Sequence, residues 1–424
     1  FHGGILFLFF GHLFGQLTPH WIYEYLLSAS QKQLVAVVAG GVAGLICFIG
    51  LSLLAPATLS RAQGQERAVA GLARGGQWPS WDTFKAQFTS EEGRVISDDG
   101  EGGRTYSEGQ AYGLFFALVA NDRKGFDTLL RWTENNLSGG DLGARLPAWL
   151  WGRRPDGTWG VIDNNAASDA DIWIAYVLGE AARLWNAPQY RALGARLAAR
   201  IIAEETADLP GLGPSLLPAP SGFVEAEGRW KLNPSYMPLQ VMQRLATLYP
   251  LPAWRQLIQS SEKIIVGASP KGYAPDWTLY DARQGFLIDE KGKEKGQGAY
   301  NAIRVYLWAG MLHPAAPGRK PLLSALAPMA RYVREQGYPP ESIDVLTGQG
   351  SGPGPAGFTA AMLPFLQAQG DSAALKAQLS RLVANPVRST AYYEQTLALF
   401  GLGWMEGRYR FSSGGQLLPQ RTKS

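Results

Sequence analysis

The run Ala167-Ser168-Asp169-Ala170-Asp171-Ile172-Trp173-Ile174-Ala175, continuing through Tyr176-Val177-Leu178-Gly179-Glu180-Ala181-Ala182-Arg183-Leu184-Trp185, decides how this chain folds. Ile172, Ala175, Tyr176, Gly179, Ala182 and Arg183 recur at helical spacing, so residues 171–185 are predicted to be an α-helix. Two aspartates stand at its start, where the positive end of the helix dipole favours anions. By themselves they are an Asp cap with a first-turn acid, or a pair of active carboxylates. The Ala181-Ala182 pair lets a second helix approach closely. Working outward, helical periodicity broken by Gly, Pro and Asn turns recurs at residues 110–119, 125–135, 189–204, 238–248, 254–266, 322–336, 360–369 and 391–402. Strand-like alternation is scarce. Roughly a dozen helices joined by short turns predict antiparallel hairpins in an all-α domain.

Toward the N-terminus the sequence changes character. Residues 1–55 are almost free of charge and hold two apolar stretches, 5–17 and 34–55. The second is long enough to cross a bilayer, which takes ~20 apolar residues, and is predicted to be a transmembrane helix or an uncleaved signal anchor. Gly40, Gly41, Ala43 and Gly44 would let another helix pack against it. Ser60-Arg61-Ala62 also meets the small-x-small rule for signal-peptidase cleavage, so anchor and cleaved signal are both open. Residues 56–77 are rich in Gly, Ala, Gln and Arg and hold no aromatic residue, as an exposed linker would. The soluble domain is therefore placed at 78–424.

Composition narrows the function. A chain of 424 residues, 46% hydrophobic, buries a large core. Its 39 basic and 35 acidic residues are scattered, giving a formal charge of +4 without the basic clusters that track a phosphate backbone. Nucleic acid is excluded as a partner on that ground. The single cysteine, Cys47, rules out an intramolecular disulfide, and no Cys/His cluster has the spacing of a metal site.

Acidic chemistry remains. Thr105-Tyr106-Ser107-Glu108-Gly109-Gln110-Ala111-Tyr112-Gly113 places a glutamate at a helix start between aromatic neighbours. There an apolar setting can keep Glu108 protonated as an acid, or Ser107 caps the helix and Glu108 complements its dipole. Tyr300-Asn301-Ala302-Ile303-Arg304 sets an arginine one helical turn after a tyrosine; it can pair in the core, or donate to Asn301, a carboxylate or a sugar hydroxyl. The 14 tryptophans suit a sugar groove, since flat rings cover pyranose faces at little entropic cost. Trp149, Trp151 and Trp277 are the preferred platforms.

The 167–185 run matches, position by position, the long diagnostic pattern of glycoside hydrolase family 8, and the resemblance extends through SEGQAYG (107–113), LPAWLWG (146–152), NPSY (233–236), PDW (275–277), GYPPE (337–341) and GFTAAMLPFL (357–366). It is nearest to the periplasmic cellulases encoded with bacterial cellulose synthases. The resemblance implies a six-hairpin (α/α) barrel that cuts β-1,4-glucan with inversion and needs no metal or organic cofactor, working in the periplasm or outside the cell, close to cellulose synthesis and tethered to the membrane if residues 1–55 are retained. Glu108 would be the general acid and Asp169 would hold the distorted sugar at the cleavage subsite. Tyr112, Trp149, Trp151, Tyr236, Asp276, Trp277, Tyr300 and Arg304 would contact substrate.

One position departs. The family's cellulase branch has an aspartate as general base in a Tyr-Asp-Ala-x-Arg run, and this chain has Asn301 there. An inverting enzyme needs a carboxylate ~6.5–9.5 Å from the acid to deprotonate water, and an amide cannot accept that proton. Either Asp276 or Asp169 substitutes, or the barrel is a nearly silent glucan binder; for Asp276 a structural or substrate-contact role is preferred to that of a rescuing base. Separately, residues 1–50 resemble a stretch of the cytochrome b (gamma) subunit of respiratory nitrate reductase, with His2 and His12 at that family's haem-ligand positions. The partner histidines of that family are missing, so the segment reads as a fused fragment rather than a haem carrier.

Overall fold

The computed structural model describes residues 78–98, 102–226, 228–289, 292 and 295–420. The apolar segment 1–55, with His2 and His12, and the whole of the linker 56–77 lie outside the described residues. Among those described, no helix is long and apolar enough to cross a membrane.

About half of the described chain is helical, in twelve α-helices: α1 (Pro79–Phe88), α2 (Ser107–Val119), α3 (Arg123–Leu137), α4 (Ser168–Leu184), α5 (Pro188–Glu204), α6 (Leu239–Leu248), α7 (Pro252–Gly267), α8 (Ala302–Met311), α9 (Arg319–Gln336), α10 (Ala356–Ala368), α11 (Ser372–Ala384) and α12 (Tyr392–Met405). They fall into two kinds. Helices such as α4 and α8 are buried almost all round, α8 along its entire length. Helices such as α5 bury a single stripe, here Tyr190, Gly194, Leu197, Ala198 and Ile201. A helix apolar on every side belongs inside and an amphipathic one outside.

Contacts follow that division. Buried helices touch in the order α2, α4, α6, α8, α10, α12, and each carries one partner on its other side: α3, α5, α7, α9, α11 and, against α12, α1. Aromatic rings bring α12 back to α2, with Phe400 at 4.7 Å from Phe116 and 5.4 Å from Phe115. Two glycines make the inner approach possible. A Cβ on Gly401 of α12 would run into the Ala360 carbonyl of α10, and one on Gly310 of α8 would run into the Phe365 backbone.

Fourteen short strands supplement the helices in five small antiparallel sheets, an addition to the all-α reading. None exceeds five residues, too short for period-2 alternation to show in sequence. The sheet that matters for the site is β1 (Thr105–Tyr106), β2 (Leu150–Arg153) and β3 (Trp159–Asp163). At the other end of the chain a hairpin of Tyr409–Phe411 and Leu417–Pro419 is tied down by Glu180 of α4. That side chain is wholly buried, accepts the Leu417 N–H at 2.9 Å, and pairs with Arg183 and Arg244.

Candidate active site

Three helix N-termini meet around one arginine. Glu108 is the second residue of α2, Asp169 the second of α4, and Asn301 the residue just before α8. Arg304, one turn into α8 and 3% exposed, reaches all three. Its Nη1 pairs with Glu108 and lies 3.3 Å from Asp169 Oδ2, while Nη2 donates to Asn301 Oδ1 at 2.7 Å and to Ser235 Oγ at 3.1 Å. Nη1 also donates to the Tyr112 hydroxyl at 3.1 Å. Of the alternatives open in the sequence, Arg304 thus takes core ion pairing and donation to Asn301 together. A planar fork of donors is what lets one side chain hold so many acceptors.

These groups face a cavity of about 640 Å³. Its wall includes Glu108, Asp169, Asn301 and Arg304 together with Trp149, Tyr236 and Tyr300. Local structure places each. The Ser107 N–H donates to the Trp149 carbonyl and the Trp149 ring stacks on Tyr106 at 5.8 Å, so the residue just before β2 is held at the start of α2. Tyr300 is 47% exposed and donates its hydroxyl to Glu341. Ser107 caps nothing: the cap position belongs to Tyr106, and the Ser107 hydroxyl is buried with no hydrogen-bond partner among the described residues.

Four of the sequence candidates are not on the cavity wall. Asp276 is 4% exposed and its Oδ1 accepts the backbone N–H groups of Ala299, Asn301 and Ala302 at 2.8, 2.9 and 2.7 Å. It caps α8 from a distant loop and so fixes Asn301 and Arg304. Tyr112 is buried under Arg304. Trp151 is packed among Trp132, Trp159 and Arg94, and Trp277 lies parallel to Phe223 at 5.6 Å.

The electrostatics separate the two carboxylates. Glu108 keeps 23% of its side chain open to the cavity, whereas Asp169 keeps 4%. Burial pushes Asp169 up to about 7, opposed by the N–H of Ala170. The Arg304 guanidinium also favours its ionised form. Burial raises the hydroxyl of Tyr236 well above the ordinary phenol range, and negative charge on Asp169 and Glu205 adds to the effect.

Sequence reasoning passed over one wall of the cavity: Tyr392, Tyr393, Glu394, Arg388 and, opposite in the chain, Asp98. The signal was there, since Tyr392-Tyr393-Glu394 opens α12 much as Tyr106-Ser107-Glu108 opens α2. Glu394 is not free to react, because Arg388 holds one oxygen at 2.8 Å and the Gly357 N–H the other at 3.2 Å. Asp98 is an exposed carboxylate.

Residues 68–407 match the sequence profile of glycosyl hydrolases family 8, and residues 1–67 that of the nitrate reductase gamma subunit. An endoglucanase of Escherichia coli O157:H7 is 46% identical over 81% of this chain and 91% of its own length. The crystal structure of an endo-1,4-D-glucanase from Vibrio fischeri ES114 superposes with a TM-score of 0.74 at 45% identity, covering 81% of this chain and 99% of that one. The endo-beta-1,4-glucanase CMCax from Acetobacter xylinum superposes at 0.63 with 27% identity, covering 76% and 96%. The respiratory nitrate reductase 2 gamma chain of Escherichia coli K12 is 58% identical over 50 residues, 12% of this chain and 22% of that protein.

Proposed function

The chain belongs to glycosyl hydrolases family 8, and from that premise we propose that it is an endo-β-1,4-glucanase acting on cellulose with inversion, weakened by the amide at position 301. The convergence of Glu108, Asp169 and Asn301 on Arg304 carries the reading. Supporting the glucan substrate are the aromatic residues Trp149, Tyr236 and Tyr300 on the cavity wall and the endoglucanase names of the relatives. Supporting a closed six-hairpin (α/α) barrel are the two layers of paired helices and the Phe400 contacts that link the last to the first. We place the catalytic domain at 78–424, after a membrane or signal segment at 1–55 and a linker at 56–77. The enzyme would then work in the periplasm or outside the cell, near a cellulose synthase, with the polysaccharide as its partner.

Glu108, open to the cavity at a helix start, donates a proton to the leaving glycosidic oxygen. Asp169 accepts from a hydroxyl of the sugar bound next to it. On the far side of the ring an inverting enzyme deprotonates water, and here the geometry is unfavourable. The one acceptor atom on the Asn301 side chain already takes the Arg304 N–H, leaving its Nδ2 hydrogens as donors. Water can be held there but not deprotonated. Asp276 cannot serve instead, since it is turned into the backbone of α8.

A second reading, a glucan-binding protein with little turnover, is favoured by that same amide. Reducing-sugar release from carboxymethylcellulose separates the two. Asn301→Asp restores a base and is expected to raise kcat about 10²–10⁴-fold, while Glu108→Gln abolishes activity in either background. If the unmodified chain already cuts as fast as Asn301→Asp, another carboxylate is the base. Asp98, exposed on the cavity wall, is then the position to replace.

A further inference from the structure

Behind Asp169 lie two carboxyl groups that the mechanism above does not use. Asp171, two residues along α4, and Glu205, the residue that follows α5, are both 0% exposed. Their carboxyl groups lie within hydrogen-bonding reach of each other. None of their four oxygens receives an N–H or O–H from any other described residue. The chain treats Glu180, an equally buried carboxylate on the same helix, quite differently, giving it Arg183, Arg244 and the Leu417 N–H. Other charged or titratable groups near the pair come from each packed element. Asp169 on α4 and Glu204 on α5 are both acidic, and Tyr236 approaches Glu205 from the turn before α6. Arg304 on α8 is spent on Glu108 and Asp169.

Two ionised carboxylates cannot share such a place without a countercharge. One proton between them removes the difficulty, because a carboxylic acid donates to a carboxylate and the pair then carries a single charge. Burial accordingly holds both groups well above the ordinary carboxylate range.

The location gives the pair its task. Ser168, which opens α4, donates its N–H to the Pro218 carbonyl, and Leu217 donates to the Glu205 carbonyl. The 217–218 segment thus joins the end of α5 to the first turn of α4 through the backbone, and the carboxyl pair bridges that junction through side chains. We propose that Asp171 and Glu205 are a proton-sharing carboxyl pair that positions Asp169, clamping the first turn of α4 so that this carboxylate meets Arg304 and the substrate at a fixed place. The residues act through Asp169 and touch no substrate themselves. The inference rests on the cavity being a glucan-cleaving site only for its effect on turnover.

The test therefore has two arms, both on the full chain. Infrared spectra at pH 8 are expected to show the carbonyl band of a protonated carboxyl that disappears in Glu205→Gln. In the kinetic arm, Asp171→Ala lowers kcat for cello-oligosaccharides about 10-fold or more with KM within about 2-fold, the size of effect that a small misplacement of a reacting group produces. Asp171→Asn, whose amide still donates to Glu205, returns most of that loss. Absence of a band that depends on Glu205 overturns the shared proton, and equal kcat in the Ala, Asn and parent forms overturns the positioning role. Should Asp171→Ala fail to fold, Glu205→Ala is read in its place with Glu205→Gln as its conservative control, and equal kcat in the Ala, Gln and parent forms overturns the role. A chain that cleaves no glucan in any form, yet shows the Glu205-dependent band, keeps the pair and refutes the proposed function instead.

Discussion

Arg304 is the residue on which the site turns, since one buried cation answers two carboxylates and an amide. Arg304→Met removes the countercharge and is expected to lower stability by about 3–5 kcal/mol, measured by urea unfolding, the range for stripping one partner from a buried ion pair. Arg304→Lys keeps the charge but loses the fork, so its stability loss should be smaller while activity still collapses. Asp169 offers a pH test. Its folded pKa is raised, so the folded state binds its proton more tightly than the unfolded chain does. The resulting stability is complete below about pH 4 and is lost as pH climbs to about 7. Across that window the melting temperature of Asp169→Asn should decline less than that of the parent. Glu108, Asp169 and the amide at 301 were legible in the sequence because short motifs carry them. Arg304 as a hub was not, because which acceptors a guanidinium meets depends on three helices brought from distant parts of the chain.

At the scale of elements, α8 depends on a cap it does not contain. Asp276 supplies three backbone N–H groups with their acceptor, so Asp276→Ala should cost about 1–3 kcal/mol in urea unfolding. It should also lower the activity gained in Asn301→Asp, because the cap holds position 301. A cap 25 residues away leaves no local signature, so the sequence left a structural role and substrate contact both open for Asp276. The same reasoning explains which helices were visible. Amphipathic α3, α5 and α9 announce themselves by periodicity, whereas α8, buried on all faces, presents none. Gly401→Ala, harmless by helix propensity, should be strongly destabilising here because the Ala360 carbonyl occupies the space for its methyl. A melting temperature equal to the parent's would contradict that packing.

Over the whole molecule, the paired helical character follows from hydrophobic pattern, while the contacts between α12 and the early helices are ones that pattern cannot reveal. Phe400 packs on Tyr112, Phe115 and Phe116 from α2, on Trp173 of α4 and on Trp308 of α8. The early inner helices thus depend on a ring supplied by α12, far later in the chain. Until α12 leaves the ribosome, the aromatic faces of α2 and α4 lack its packing surface, and a nascent chain stays open and sticky. Contacts between such distant segments also make folding slow. A chain stopped before Tyr392 is accordingly expected to aggregate rather than form a smaller soluble core, which sedimentation of the truncated product would reveal. Were the chain exported unfolded, as proposed above, that delay would be an advantage, since the inner helices could not pack before α12 had passed.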